Sequence, residues 1–214
     1  MNALILANGE LHTSTELLEI TQSADFLIAA DGGARHCSTL QRTPETLIGD
    51  LDSIPIDLLH QFQDIGVEIV QHPTRKNATD LELAIDLSLQ KGATAIYFTG
   101  MLGGRWDMSL ANIFLLASEK YKNIRFTLFG DGCKMHILHP GNNSFTTKPG
   151  QRASLLPLKG DGGSITLTGF EYPLDQYTIP FGSSIGVSNV TADKTVHIKH
   201  RAGVLLFIVS SNSD

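Results

Sequence analysis

The stretch PETLIGDLDSIP, residues 44–55, places two carboxylates two positions apart at the end of an apolar run. Leu47 and Ile48 predict a short buried β-strand, and Asp50 and Asp52 follow where that strand meets a loop. Because alternate residues of a strand point the same way, we expect both carboxylates to face one cation. An isolated D-x-D motif is more often a solvated turn, so its meaning depends on the rest of the chain.

Up to about residue 130 the chain alternates short apolar runs with helix-like segments. Six runs predict strands: ALILANG, DFLIAAD, ETLIGD, VEIVQH, TAIYFTG and IRFTLFG. Four segments predict helices: GGARHCSTLQR, PIDLLHQFQDIG, NATDLELAIDLSLQKG and MSLANIFLLASEKY. In the third helix, Thr79 and Glu82 form a capping box, and Gly92 follows its predicted end. This alternation predicts a parallel sheet covered by helices, a Rossmann-like α/β domain over residues 1–138.

After about residue 135 the pattern changes to short strand-like runs separated by Gly, Pro and Asp turns. These runs are HILHPG, NSFTTKPG, RASLLPL, SITLTGF, TVHIKHR and VLLFIVS. They predict a small C-terminal β-sandwich over residues 144–214, with the boundary between Met135 and Ser144. Because so small a β unit has a limited core, we expect it to pack on the first domain or on a second copy of the chain.

Polar residues, mostly acidic, follow four of the predicted strands. They are Asp31 with Gly32 and Gly33; Asp50 and Asp52 with Ser53; Asp80; and Asp107, preceded by Gly103, Gly104 and Arg105. The carboxyl ends of parallel strands meet at one edge of a sheet, where ligands bind. Carboxylates suit Mg²⁺, glycines let backbone N–H groups approach phosphate oxygens, and arginine matches phosphate geometry. The set therefore predicts a metal–polyphosphate site.

Each piece also has a simpler interpretation. Asp80 and Asp107 lie at helix starts, where a carboxylate stabilises the helix dipole by about 0.3–1 kcal/mol. Gly-Gly pairs mostly mark turns. The metal-site hypothesis gains weight because the pieces coincide at one edge of one sheet. The histidine pairs His136/His139 and His197/His200 are interpreted as surface or structural residues.

Composition narrows the function classes. The 214 residues carry a formal charge of −6, and no Lys/Arg cluster offers a nucleic-acid surface. No apolar run approaches the roughly 20 residues of a membrane-spanning helix, and the N-terminus lacks the basic start of a signal peptide. The two cysteines have no metal-ligand spacing, so we expect a cytoplasmic protein in a reducing compartment.

Six segments, taken in order, resemble the motifs of the thiamine pyrophosphokinase family. They are ADGGA (30–34), GDLDS (49–53), TDLELAI (79–85), GGRWDMSLANIFLL (103–116), GFEYPLDQYTIPFGSSIGVSN (169–189) and GVLLFIV (203–209). The resemblance implies transfer of the terminal diphosphate of ATP to the hydroxyethyl group of thiamine, with release of AMP. It also implies a homodimer that holds thiamine between the N-terminal domain of one chain and the β domain of the other.

The resemblance further implies roles for individual residues. Asp50 and Asp52, with Asp80, would hold Mg²⁺, and Asp31 would complete the acidic pocket. Arg105 would touch phosphate, and Asp107 would face thiamine or the metal; Asp80 or Asp107 would accept the proton of the alcohol. The nucleotide-side set adds Gly32, Gly33, Ser53, Gly103, Gly104 and Asn112, and the thiamine-side set is Ser188 and Asn189.

Three positions depart from the family pattern, and three alternative functions stay open. Leu51 replaces a common aromatic residue, Met108 a common histidine, and Asn77 a frequent acid. A haloacid-dehalogenase-like phosphatase would use the first Asp of D-x-D as a nucleophile. A pterin diphosphokinase would use a different acceptor alcohol. A thiamine- or nucleotide-binding sensor would bind both ligands without forming AMP.

Overall fold

The computed structural model describes residues 1–213, with no side chains described for residues 212 and 213. Its helices are α1 (Thr15–Ser23), α2 (His36–Leu40), α3 (Ile56–Asp64), α4 (Asp80–Gln90) and α5 (Trp106–Leu116), with 3-10 helices at Asp31–Arg35 and Glu119–Tyr121. The strands are β1 (Asn2–Leu6), β2 (Phe26–Ala30), β3 (Thr46–Gly49), β4 (Glu68–Gln71), β5 (Ala95–Thr99), β6 (Arg125–Gly130), β7 (Cys133–Leu138), β8 (Gly141–Thr146), β9 (Gln151–Thr168), β10 (Leu174–Ile179), β11 (Asn189–Val190), β12 (Thr195–His200) and β13 (Ala202–Ser213). None of the described helices is long and apolar enough to cross a membrane.

The chain divides into two compact units. Unit 1 comprises Met1–Leu115 and Asn123–Asp131; unit 2 comprises Leu116–Lys122 and the chain from Gly132 onward. Together the units give the mixed α/β and β architecture that the two sequence patterns predict.

Unit 1 contains a parallel sheet in the strand order β4-β3-β2-β1-β5-β6. Its strands are apolar because the sheet is buried: all five residues of β2 are buried, as are four of the five in β1. The chain moves outward from β1 to β4 on one side and returns to β5 and β6 on the other. The order therefore reverses between β1 and β5, and open α/β sheets bind ligands beyond the carboxyl ends of strands at such a point.

Unit 2 is built around the long strand β9, on which β10, β11, β12 and β13 pair antiparallel. The first half of β9 pairs mainly with β13, and its second half pairs with β10 and β12. The core of the unit includes Leu155, Ile165, Ile198 and Phe207, which are all buried.

In the capping box predicted for α4, the bond to the Thr79 side chain is confirmed, whereas the single helix predicted over GGARHCSTLQR is wrong. The Thr79 side chain accepts a hydrogen bond from the Glu82 backbone N–H at 3.2 Å. The segment GGARHCSTLQR forms a 3-10 turn and a five-residue helix instead of one helix, because Asp31 takes a left-handed φ of 48° and Gln41 ends the helix at a φ of 51°. Helix α1, capped by Ser14, and strands β10 and β11 were not predicted.

The runs RASLLPL and SITLTGF belong to one strand, not two. Residues 160–163, GDGG, suggested a turn, but the chain continues through them with irregular pairing to β13. Gly160 and Ser164 take positive φ values of 67° and 52°, which bend the strand without reversing it. The glycines therefore mark a bulged bend.

Candidate active site

Three carboxylates meet beyond the carboxyl ends of β2 and β3. One oxygen each from Asp31, Asp50 and Asp52 lies within 4.8 Å of the others. Like charges this close repel one another, and the arrangement is favourable when a cation lies among them. Among the described residues this is the one group of three or more metal-ligating side chains so placed.

The backbone brings these carboxylates together in a way that strand alternation did not predict. Strand β3 ends at Gly49, so Asp50 and Asp52 lie in the following turn, with Leu51 at a left-handed φ of 68°. The Asp52 backbone N–H donates to Asp50 Oδ1 at 3.3 Å, which closes the turn. A Cβ on Gly49 would lie 3.1 Å from Asp31 Cβ, so the glycine lets β3 approach Asp31 closely.

Asp31 has the environment of a cation ligand. The residue is only 9% exposed, and among the described residues its Oδ1 has no hydrogen-bond partner. A buried polar atom left unpaired costs about 1–3 kcal/mol, more when it is charged. The donor set, three hard carboxylate oxygens of which one is buried and unsatisfied, therefore fits a divalent ion such as Mg²⁺.

Asp31 and Asp50 line a cleft of about 620 Å³ in unit 1, and Asp52 adjoins them outside that lining. That volume is within the range of about 300–1,000 Å³ usual for small-molecule sites. The cleft is lined by the segments that follow β1, β2, β3, β4 and β5 and by residues of α4 and α5. The predicted site residues in its lining are Asp31, Asp50, Ser53, Asp80, Gly103, Gly104, Arg105 and Asn112.

Asp80 lies in this cleft as the first residue of α4, apart from the three-carboxylate group. Its Oδ1 is 3.0 Å from Lys76 Nζ, and both side chains are largely shielded from solvent. Lys76 also donates to the Pro73 carbonyl at 3.2 Å. The amine thus offsets the Asp80 charge at the cleft wall.

Arg105 and Asp107 form an exposed ion pair. Arg105 Nη2 donates to Asp107 Oδ2 at 2.6 Å, and the two side chains are 73% and 65% exposed. The hydrogen bond from Arg105 holds the pKa of Asp107 below its usual range. A carboxylate with a lowered pKa accepts a proton less readily, which bears on the choice of base.

The remaining predicted nucleotide-side residues serve mainly to shape the loops. Gly32 and Gly33 pack behind the cleft surface: a Cβ on them would lie 2.3 Å from Asn8 Oδ1 and 2.1 Å from the Leu6 carbonyl. Buried Asn112 donates to the Met101 carbonyl at 3.0 Å and so holds the loop that follows β5.

Ser188 and Asn189 lie in unit 2, where Asn189 contacts Tyr172. Asn189 Oδ1 accepts from the Tyr172 backbone N–H at 3.1 Å, and Asn189 Nδ2 donates to the Tyr172 carbonyl at 2.8 Å. The Ser188 backbone N–H donates to Ser154 Oγ at 3.1 Å. The two Asn189 bonds fix the backbone of Tyr172, a residue that is 65% exposed.

Sequence reasoning missed three parts of the cleft lining: the loop Asn8–Glu10, Arg35 and Lys76. The loop obeys the same rule as the predicted residues, because it directly follows β1. Applying the strand-end rule to the first strand would have found it. Arg35 and Lys76 had no motif to mark them.

Both halves of the chain resemble known proteins. The family model for the thiamin pyrophosphokinase catalytic domain matches residues 17–128, and the model for the vitamin B1 binding domain of the same family matches residues 142–205. A thiamine pyrophosphokinase of Bacillus subtilis is 29% identical over 209 residues, covering 97% of this chain and 98% of that protein. Thiamine pyrophosphokinase 1 of Oryza sativa is 27% identical, covering 92% and 82%. A crystal structure of the Bacillus subtilis protein aligns with a TM-score of 0.86 at 28% identity, over 99% of this chain and 100% of the other.

Proposed function

The chain belongs to the thiamine pyrophosphokinase family, and on that premise we propose how the cleft of unit 1 carries out the reaction. The activity is ATP-dependent transfer of a diphosphate to thiamine, giving thiamine diphosphate and AMP. In this transfer the hydroxyl oxygen of thiamine bonds to the β-phosphorus of ATP, the bond from that phosphorus to the α-phosphate oxygen breaks, and the hydroxyl proton passes to a base. The observation that carries the assignment to this cleft is the three-carboxylate group at its border.

We propose that the ion bound there is Mg²⁺ and that Asp31, Asp50 and Asp52 hold it. Asp80, the third ligand in the sequence prediction, lies in the same cleft but pairs with Lys76. When bound, Mg²⁺ coordinates phosphate oxygens and offsets their charge. The unpaired Asp31 Oδ1 supports its inclusion as a ligand.

Asp80 is the better candidate for the base. It lines the cleft, whereas Asp107 is exposed and its pKa is lowered by the hydrogen bond from Arg105. Phosphoryl transfer depends mainly on positioning and charge stabilisation, so the proton can move late. Arg105, Ser53, Gly103 and Gly104 remain proposed phosphate-side groups.

The thiamine side is proposed to include Ser188 and Asn189, since both fall within the segment that matches the vitamin B1 binding domain. Replacing Asn189 with Ala removes both bonds to the Tyr172 backbone. We expect the thiamine KM of this variant to rise more than its ATP KM, with Asn142→Ala on β8 as an exposed control. A selective rise in the ATP KM would contradict the assignment.

Four broader features are also proposals. We propose that unit 1 is a Rossmann-like nucleotide-binding domain, supported by its strand order, and that unit 2 is a small sandwich, supported by its antiparallel pairing. We propose a homodimer, and a measurement of the molar mass in solution by light scattering would test this. A cytoplasmic location suits the two free cysteines and is tested by cell fractionation.

The primary experiment incubates the protein with thiamine, ATP and Mg²⁺ and measures thiamine diphosphate and AMP by mass. Asp50→Asn and Asp52→Asn are expected to lower turnover by orders of magnitude while the proteins stay folded, because each removes a charged ligand oxygen. Near-normal AMP release by either variant would refute the metal assignment. Release of orthophosphate without an acceptor would instead indicate a phosphatase. Formation of a diphosphate product only when a pterin alcohol is supplied would indicate a pterin diphosphokinase.

A further inference from the structure

Three cationic side chains line the cleft, and two of them are neutralised by the chain itself. Lys76 pairs with Asp80, and Arg105 pairs with Asp107. The third, Arg35, takes part in none of the ion pairs formed among residues 1–213. Its positive charge is therefore available to an anionic ligand in the protein as folded.

Main-chain carbonyls hold Arg35 in place without cancelling its charge. Arg35 Nη2 donates to the carbonyl oxygens of Asn8 at 2.7 Å and Gly9 at 2.9 Å. The ring of His36 approaches the same Gly9 oxygen with its Nε2 at 3.0 Å. Because carbonyls are neutral acceptors, the guanidinium is oriented while its full charge is retained.

The remaining donors of Arg35 have no partner within the described chain. The two Nη2 hydrogens go to Asn8 and Gly9, which leaves the N–H groups on Nε and Nη1. A guanidinium bonds phosphate oxygens strongly because its donors are charged and planar. A side chain that is fixed beforehand also loses little conformational entropy when it binds.

The loop that orients Arg35 is part of the cleft wall. Asn8, Gly9 and Glu10 line the cleft, and the Gly9 and Glu10 backbone N–H groups donate to the Gly100 and Leu102 carbonyls at 2.6 and 3.1 Å. The loop lies outside residues 17–128, which the catalytic-domain model covers. Arg35 and this loop thus join the ends of β1, β2 and β5 at the reversal of strand order.

We propose that Arg35 binds the polyphosphate of the nucleotide, with the Asn8–Gly9 carbonyls as the brace that orients it. This rests on the proposed function, in which the cleft takes ATP. It assigns to Arg35 the preformed phosphate contact that the sequence prediction gave to Arg105. Lys76 and Arg105 must exchange a carboxylate for a phosphate, whereas Arg35 exchanges only water.

The test measures nucleotide binding to the full-length protein by calorimetry, with Mg²⁺ and without thiamine. The probes are α,β-methylene ATP, which cannot be cleaved at the reacting bond, and adenosine, which has no phosphate. Arg35→Met is expected to raise the Kd for the ATP analogue by about tenfold to hundredfold, the range for loss of a charged hydrogen bond. The Kd for adenosine should change by less than about twofold, because the loss is confined to phosphate contacts.

Two further variants separate a direct contact from other effects. Arg75→Met removes the same charge from an exposed position outside the cleft lining, so it reports the long-range effect of net charge. Arg35→Lys keeps the charge without the planar fork and should fall between wild type and Arg35→Met. Equal weakening of adenosine and ATP-analogue binding by Arg35→Met would show that Arg35 only shapes the loop, and would overturn the inference.

An unchanged Kd for the ATP analogue in Arg35→Met would likewise overturn it. Neither result touches the activity itself, because wild-type formation of thiamine diphosphate is measured separately. A different outcome is that the wild type fails to make thiamine diphosphate while Arg35→Met still weakens binding of the ATP analogue and not of adenosine. That result would refute thiamine as the acceptor and would leave Arg35 as a ligand of the polyphosphate.

Discussion

Replacing Asp31 with Asn should stabilise the metal-free protein and remove its response to Mg²⁺. Asp31 is 9% exposed, and its carboxylate lies among those of Asp50 and Asp52. Without a cation, the folded state brings three negative charges together that are far apart in the unfolded chain. Asparagine is nearly isosteric with aspartate and also tolerates the left-handed φ of 48°, so the substitution changes charge with little backbone strain.

The size of the effect follows from the spacing of the oxygens. Two unit charges 4.8 Å apart repel by about 0.9 kcal/mol in a water-like dielectric and about 3.5 kcal/mol at an effective dielectric constant of about 20. Because Asp52 is exposed and Asp50 is partly exposed, we use the smaller value for the Asp31–Asp52 pair and for the Asp31–Asp50 pair, which gives about 2 kcal/mol. For a chain of this size, 2 kcal/mol raises the Tm by about 4–8 °C.

The assay is thermal unfolding in excess EDTA and in a series of Mg²⁺ concentrations. Wild type should gain stability with Mg²⁺, since a ligand that binds only the folded state stabilises it. Asp31→Asn should begin higher in EDTA and respond little to Mg²⁺. Asp175→Asn, an exposed change on β10 with the same net charge difference, controls for global charge. A lower Tm for Asp31→Asn in EDTA, or an equal Mg²⁺ response in both proteins, would refute the reasoning.

Two further predictions concern stability. Thr79→Ala removes the side-chain acceptor for the Glu82 N–H and should cost about 1 kcal/mol, lowering the Tm by about 2–4 °C, while Thr79→Ser keeps it. Burial lowers the pKa of His136 from 6.5 to about 3, so the folded state binds fewer protons than the unfolded state. The contribution of neutral His136 to the free energy of unfolding is therefore fully present above pH 6.5 and is lost as the pH drops toward 3. His136→Phe, which can pack against Phe145 and Phe207, should flatten that part of the pH–stability curve. The free energy of unfolding is measured by denaturant titration at each pH. If it falls with decreasing pH as steeply in the variant as in the wild type, the assignment is contradicted.

The strands of the parallel half and the start of α4 were predictable because each signal there is local. Apolar runs as short as Phe26–Ala30 favour buried strands over helices, and Thr79 begins α4 through a contact three residues away. The β half was less predictable. Whether Gly160–Gly163 turns or bends depends on where β13 pairs, a contact some forty residues distant in sequence. Local composition could not distinguish these outcomes.

At the candidate site the residue types were predictable, but their geometry was not. The D-x-D spacing correctly indicated that Asp50 and Asp52 lie close together, for the wrong reason: a turn with Leu51 in the left-handed region aligns them. The sequence also could not show which residue each cationic side chain pairs with. Arg105 has a phosphate-binding character in any sequence, yet only the fold shows that it pairs with Asp107.

The ion pair between Arg105 and Asp107 affects how readily Arg105 can bind a phosphate instead. Arg105 and Asp107 are both largely exposed, and a pair of this kind contributes little because water screens it. Breaking it to meet a phosphate is therefore inexpensive, and the pair is compatible with the proposed role of Arg105. The Lys76–Asp80 pair is more shielded, so separating it leaves a partly buried carboxylate without its cation. The two pairs therefore differ in the cost of separating them: Arg105 can exchange Asp107 for a phosphate more readily than Lys76 can exchange Asp80.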